Sequence, residues 1–491
     1  MQPRKIKLIN YLAYGSNDLF GAGAMAIISG WILYFYTTFC GLSAVQATAI
    51  FAIARLLDAV FSPLVGHLSD HFYTTKLGRK FGRRRFFVLA AIPLLPSFAI
   101  MWISGQTFWF YLVTYVLFEL VYAFELIPYE TLAAEMSKDY KVKAKFAGCR
   151  ILFAQTSAIM AGFLPAAIIN HLGKDSADTF LYLGIGAAIT FMVTAGFVYL
   201  FTWERPPGET GIAAREGKLS LWDSFKALYA NLFSTLRIRA FRQHLGMYLG
   251  GYISQDIFNG VFVFFVVFAL GATTADAGNF MGFMAFAQLA AVAGFIWLIL
   301  RIHPAPSYRL AVSFYALAVL GFLAIYLISP TDLLAWMMAP VLLAGLGRGG
   351  LNYIPWNIYN YMADVDEIVT GKRREGAFAG VMTFVRKTMQ AAAIAMVGLI
   401  LEAGGFVSKA KTQSPEAIAT ILTVLVAGTL ALLVFGFVVS LRFRLNHRTH
   451  QILMEEIERF RAEDQASPTP EHRAVVEDLT GWRYERLWGR G

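Results

Sequence analysis

Charge is what this chain of 491 residues has least of: 15% of it is Asp, Glu, Lys or Arg, against 57% hydrophobic. Soluble globular proteins carry about 25% charged and about 45–50% apolar residues. The deficit excludes a soluble enzyme and a disordered chain, since disorder requires low hydrophobicity and high charge. Cysteine is nearly missing as well. Cys40 and Cys149 both lie in apolar segments, so a CxxC metal or redox site is excluded, as is a secreted disulfide scaffold, and a structural disulfide is not expected. HExxH, GxSxG and P-loop motifs are absent. Gly345-Leu346-Gly347-Arg348-Gly349-Gly350 satisfies GxGxxG formally, but it lies inside an apolar run with no preceding strand. Its small residues are expected to let helices approach closely, not to hold a dinucleotide. The chain therefore reads as a non-enzyme with no metal and no organic cofactor. Strands of about 10 residues with alternating polarity are missing too, which excludes a β-barrel.

What the chain does have is uncharged runs long enough to cross about 30 Å of hydrocarbon as helices. Twelve spans are expected near residues 11–38, 45–70, 86–104, 107–130, 146–170, 179–202, 243–270, 277–300, 309–328, 333–362, 377–402 and 416–441. The first is too long for a signal peptide. The net charge of +10 collects in alternate connections: Lys76 to Arg85, Lys138 to Lys145, Arg205 to Arg242, and Lys372 to Arg374. The odd-numbered connections hold only Lys174, Lys409 and Lys411. This alternation is a topology signal that places both termini in the cytoplasm of a multi-pass plasma-membrane protein, the inner membrane if the source is Gram-negative. It is not a nucleic-acid footprint.

The expected organisation is a six-helix bundle over 1–202, a cytoplasmic connection with an amphipathic helix over 203–242, a second six-helix bundle over 243–442, and a cytoplasmic tail over 443–491. The halves echo each other. Ile127-Pro128-Tyr129 and Phe146-Ala147-Gly148 in one match Ile354-Pro355-Trp356 and Phe378-Ala379-Gly380 in the other. Parallel repeats of six helices are the plan of the major facilitator fold, whose substrate site lies between the halves. With no nucleotide motif, transport in such a fold runs on a gradient or downhill. In the tail, Leu453, Ile457 and Phe460 share one face of a helix expected to pack on the cytoplasmic side, with a partner-binding segment as the alternative.

Ionisable groups within spans are costly and tend to face a cavity or one another. They are Asp18, Arg55, Asp58, Glu119, Glu125, Arg150, Asp256, Arg386 and Lys387. A local ion pair or interfacial placement weighs most for Arg386 and Glu119, and least for Asp58 and Lys387, which lie deep in apolar runs. Arg55 and Asp58, at i and i+3, share a helix face, whereas Glu119 and Glu125 do not. Tyr14, Tyr122, Gln155, Tyr252, Gln255, Asn259, Asn352 and Trp356 add aromatic faces and amides that suit a polyhydroxylated ligand.

Arg55-Leu56-Leu57-Asp58-Ala59-Val60-Phe61-Ser62-Pro63-Leu64-Val65-Gly66 resembles the "W-D-A-x-x-D-P-x-x-G" signature of the glycoside–pentoside–hexuronide:cation symporters, the melibiose permease family. Pro128-Tyr129-Glu130-Thr131-Leu132-Ala133-Ala134-Glu135 resembles that family's "P-Y-x-x-L-x-x-E" loop, and Thr370 to Gly376 its "T-G-K-R-R-E-G" loop. The resemblance covers all twelve spans in order and implies secondary symport of a sugar or glycoside with a cation by alternating access. It implies that Asp18 and Arg150 contact sugar, that Asp58 is the first cation-site carboxylate, and that Lys387 pairs with acids near it. Tyr14, Glu125, Gln155, Tyr252, Asp256, Asn259 and Trp356 complete the candidate substrate set, with Arg55 and Ser62 joining Asp58 and Lys387 for the cation. Asp70, Arg79, Glu135, Arg374 and Glu375 are the candidate gate. Two departures stand out. Ser62 replaces the signature's second carboxylate, which favours a proton over sodium. Glu125 stands one place before the position where the family carries a polar group, and Leu126 occupies that position. One residue turns a side chain by about 100° around a helix. The partners expected are a small sugar or glycoside, a coupling H+ or Na+ and the lipid bilayer, with no nucleic acid, for a monomer. The runner-up is a lysophospholipid or other amphiphile carrier of the same fold; a membrane enzyme or receptor is a more distant reading.

Overall fold

The computed structural model describes residues 5–137, 139–173, 175–205, 226, 230, 234–371, 374–462 and 469–489. Among the described residues there are helices and turns but no strand. The long helices are α1 (Leu8–Thr38), α2 (Ala44–His71), α4 (Phe108–Glu130), α5 (Tyr140–Leu172), α6 (Ala177–Phe201), α7 (Arg239–Ala269), α8 (Thr274–Ile302), α9 (Pro304–Ile328), α10 (Leu333–Tyr359), α11 (Glu375–Ala403) and α12 (Pro415–Leu441). Eleven segments, one in each of these, are long and apolar enough to cross a membrane. The expected third span is the exception. In α3 (Arg85–Ile100), Pro93 and Pro96 remove backbone donors, and a 3-10 turn at Ile92–Leu94 separates two short α-helices. The amphipathic helix expected between α6 and α7 falls mainly outside the described residues.

Local chemistry repeats along the chain. Helix α1 ends in a π-turn at Ile28–Ile32 and one further helical turn, α7 in a π-turn at Phe265–Ala269. Each is followed by a left-handed glycine, Gly41 or Gly271. Leu42 N donates to Tyr36 O and Ala272 N to Val266 O, both at 3.0 Å, closing the two ends in the same way. A hydroxyl then caps the next helix: Ser43 accepts from Gln46 N, and Thr273 from Asp276 N. The two Ile-Pro segments also lie in corresponding places, Pro128 near the end of α4 and Pro355 near the end of α10, each followed by a short helix, Leu132–Met136 or Met362–Thr370.

The chain forms two compact units: 1–221, 259–285 and 390–422 in the first, 222–258, 286–389 and 423–491 in the second. In the first unit, small residues bring helices to backbone contact. A methyl on Gly162 would lie 2.6 Å from Gly282 Cα, and one on Gly398 2.8 Å from Ala44 O. Glu402 accepts from Val45 N at 2.9 Å, placing a carboxylate at the N-terminus of α2. Lys409 N donates to Thr37 O at 3.2 Å, so the ends remote from the basic connections are knit together inside this unit. In the second unit, Gly347, Gly349 and Gly350 of the GxGxxG run lie against Tyr315, Ala291 and Ala311, the close packing expected of small residues.

The described residues of the tail belong to the second unit. Helices α13 (His447–Arg461) and α14 (Pro470–Thr480) bury Leu453, Ile457, Val476 and Leu479. Phe460 stacks on Trp488 with ring centroids 5.4 Å apart. The tail grips Met362–Thr370: His450 meets Asp364 at 2.9 Å, and Arg461 pairs with Glu367. Trp488 N and Gly489 N donate to Ile368 O and Val369 O, both at 2.8 Å, satisfying carbonyls that this helix end leaves open. Burial pushes the Glu456 carboxyl up, but hydrogen bonds from Tyr484, His472 and Arg459 outweigh it and hold the group below its usual range. Removing residues 447–491 should raise amide exchange over 362–371 on the order of tenfold while leaving α1 and α5 protected as before. Unchanged exchange in 362–371 would show that the tail merely rests on that helix.

Candidate functional site

Three buried polar clusters interrupt the apolar helices. The first begins where α1 breaks. Asn17 forms a turn, and Asp18 starts the next helical segment. Arg150 on α5 grips Asp18 with two donors, Nε to Oδ2 at 2.6 Å and Nη2 to Oδ1 at 3.2 Å. Its Nη2 also reaches Glu130 Oε1 at 3.2 Å. The guanidinium lies over the Tyr129 ring at 5.2 Å, and Tyr129 stacks on Tyr14 at 4.7 Å. The two tyrosines are locked by their hydroxyls: Tyr129 donates to Tyr14 O at 2.7 Å, and Tyr14 to Glu130 O at 3.2 Å. Glu125, one helical turn before Tyr129, is fully buried and takes Asn17 Nδ2 at 3.0 and 3.2 Å. The one-residue offset read from the sequence thus aims Glu125 at Asn17. Gln155 is half-buried further along α5.

The second cluster lies between α2 and α4. Arg55 Nη1 is 3.6 Å from Asp58 Oδ2 and 3.3 Å from Glu119 Oε2, and Ser62 Oγ donates to Asp58 Oδ1 at 2.8 Å. Arg55, Asp58 and Glu119 are all buried. One guanidinium thus serves two carboxylates in a buried setting. Ser62 removes a carboxylate from α2, while Glu119 supplies one from α4. Sequence reasoning saw Glu119 as a charge within a span but did not place it here, because no local spacing links residues 55 and 119.

The third cluster belongs to the second unit. Asp256 on α7 pairs with Arg386 on α11 at 2.6 Å, and Arg386 lies over the Tyr252 ring at 5.3 Å. Trp356 Nε1 donates to Tyr252 OH at 2.9 Å, and Tyr252 OH to Asn352 O at 3.2 Å. Gln255 joins Asn352 Oδ1 at 3.0 Å and accepts from Arg348 Nε at 3.1 Å. Arg348 was hidden in the glycine run: its neighbours pack, while its side chain turns to the polar set. Asn259 follows Asp256 by three residues on α7, and Lys387 follows Arg386 on α11.

Described residues of the basic connections also form charge pairs. Glu135 is buried and receives Arg83 at 2.5 Å and Arg84 at 2.7 Å, with Arg205 Nε at 3.7 Å. Glu204 accepts from the backbone N–H groups of Arg83, Arg84 and Arg85, at 3.1, 2.9 and 2.6 Å, capping the start of α3. Arg374 is bidentate on buried Asp366, at 2.9 and 2.6 Å, and this hydrogen-bonded pairing, set against partial burial, raises its affinity for the proton. Of the candidate gate residues, Arg79 donates to Thr74 O at 3.0 Å. The side chains of Asp70 and Glu375 lie outside the described residues.

The chain belongs to the MFS/sugar transport protein family, whose model matches residues 13–447. It is a multi-pass membrane transporter, in line with the symporter resemblance read from its motifs. It is 23% identical to the uncharacterized symporter YnaJ of Bacillus subtilis (strain 168), covering 93% of this chain and 96% of that one. It is 22% identical to the glucuronide carrier protein homolog of Escherichia coli (strain K12), covering 91% and 94%. The nucleoside transporter NupG shares the fold, with a TM-score of 0.60 at 15% identity over 89% of this chain and 98% of that one.

The charge pairs differ in what their loss should cost. Asp256→Asn strands a buried guanidinium and should cost about 3–5 kcal/mol of stability. Glu130→Gln removes a half-exposed partner and should cost about 1 kcal/mol or less. Denaturant unfolding of the purified protein in one detergent compares them, and equal losses would contradict this ranking.

Proposed function

We propose that this protein is a secondary symporter that moves a sugar or glycoside with a monovalent cation by alternating access. In this reading it has twelve spans, in two six-helix halves, with both termini cytoplasmic and α3 as the third span. The observation that carries the reading is the Asp18–Arg150 pair beside Tyr14 and Tyr129. A carboxylate and a guanidinium fork together accept from and donate to neighbouring sugar hydroxyls, and aromatic faces cover the C–H face of the ring. The family and the glucuronide carrier protein homolog among its relatives support a sugar-like substrate. Nothing in either favours the amphiphile carrier. Gln155, Tyr252, Asp256, Asn259 and Trp356 are proposed as further substrate-contacting residues.

Coupling is assigned to Asp58, Ser62 and Arg55, with Glu119 as the added carboxylate and Lys387 as a further candidate. A proton or a sodium ion would bind at the carboxylates of Asp58 and Glu119, and the hydroxyl at Ser62 favours the proton. Glu135 and Arg374 hold the basic connections in order, and with Asp70, Arg79 and Glu375 they are the proposed gate.

Uptake of a panel of labelled glucuronides, galactosides and pentosides into proteoliposomes, with and without imposed proton or sodium gradients, tests the substrate class. Accumulation of none of them under any gradient would sink the reading. Asp58→Asn, which mimics the protonated acid, should abolish gradient-driven accumulation yet preserve exchange of substrate across the membrane. Ser62→Asp should raise the sodium dependence of uptake.

A further inference from the structure

We infer that Glu125, held by Asn17, is a proton-binding site of this transporter, separate from the Arg55–Asp58–Glu119 cluster. Only its consequence for transport rests on the symport reading. The Glu125 side chain is completely buried on α4. Both of its carboxyl oxygens face a single donor group, the Asn17 amide nitrogen, at 3.0 and 3.2 Å. Among the described residues no Lys, Arg or His nitrogen pairs with it. An ionised carboxylate without a counter-charge is far more expensive to bury than a neutral acid, so a group in this position carries its proton.

The surroundings give the same answer from every neighbouring element. The charges within electrostatic reach are Asp18 from α1, Glu130 from α4 and Arg150 from α5. Arg150 is already committed, with two donors on Asp18 and one contact to Glu130. With Glu125 ionised, three carboxylates would share one guanidinium; with Glu125 neutral, two do. The phenols offer no relief, because the Tyr14 and Tyr129 hydroxyls both donate to backbone carbonyls. Asn17 adds an independent sign. It is fully buried, and its Oδ1 has no hydrogen-bond partner. A half-turn of the amide sets this orphan acceptor against Glu125, where a carboxylic O–H donates to it. A carboxylate has no such proton to give.

The site also has a route to ionise. When ligand hydroxyls take over Asp18, Arg150 is freed to turn to Glu125. The Glu125 O–H bond then breaks, its proton passes to water, and the carboxylate pairs with the guanidinium. Ligand occupancy and protonation at Glu125 are then linked, and each shifts the other by the same factor.

The test needs no substrate. Infrared difference spectra between neutral and alkaline pH are recorded on the full-length protein in lipid bilayers. The parent should show the carbonyl stretch of a buried protonated carboxyl, lost in Glu125→Gln and retained in Asp58→Asn. Glu125→Asp should move this band, and Asn17→Ala should shift it by removing its hydrogen-bond partner, so the proposal stays testable if the Gln variant folds poorly. A parent without the band, a band at full strength in Glu125→Gln, or a band lost only in Asp58→Asn would overturn the assignment. For whichever glycoside is transported, parent affinity should rise at alkaline pH, because binding releases the Glu125 proton, whereas Glu125→Gln should lack that rise. Failure of every glycoside in the uptake panel would strike the symport reading and leave the infrared result to decide this one.

Discussion

A charge placed among apolar helices must be met inside the protein, because neither lipid nor a packed core can solvate it. That constraint organises this molecule. Arg150 is met by Asp18 and Glu130, Arg55 by Asp58 and Glu119, and Arg386 by Asp256. Each pairing fixes which helix faces meet: α1 and α4 with α5, α2 with α4, α7 with α11. Removing one partner leaves a buried charge stranded, whereas trading one partner for another costs far less. A ligand or ion that substitutes for a partner therefore has leverage over the conformational balance that its own size would not suggest.

The same rule operates at the basic connections with different consequences. In each unit an acid on the short helix after the Ile-Pro segment receives arginine: Glu135 takes Arg83 and Arg84, and Asp366 takes Arg374. The second unit carries two more acids on that short helix, Asp364 and Glu367, and the tail supplies their partners through His450 and Arg461. Backbone donors at Trp488 and Gly489 then close the helix end. The tail is thus integral to the connection between α10 and α11. It is built by ordinary soluble-protein packing of Leu453, Ile457 and Leu479.

Close approach of helices is the second requirement, and glycine meets it where side chains would keep backbones apart. Gly162 against Gly282, and Gly347 against Tyr315, are such places. The glycine run of α10 shows how two functions share one segment. Gly347, Gly349 and Gly350 seat the helix, while Arg348 between them reaches Gln255.

Composition and hydropathy were enough to define a multi-pass helical membrane protein, and the family motifs a transporter, because lipid imposes one-dimensional rules that a sequence can satisfy only in plain sight. The i, i+3 spacing of Arg55 and Asp58 likewise made their contact legible, and the off-register position of Glu125 was visible as a departure from the family motif. The break of α3 at Pro93 and Pro96 was legible in principle but was masked by the hydrophobicity of the run. The long-range partners were not legible. That Glu119 joins Arg55, that Asn17 holds Glu125, that Arg348 leaves the glycine seam for Gln255, and that Glu204 caps three successive amides were decided by tertiary structure alone. Helical periodicity says which way a side chain points around its own axis. Which neighbour waits there depends on how separate helices pack, and no local spacing encodes that.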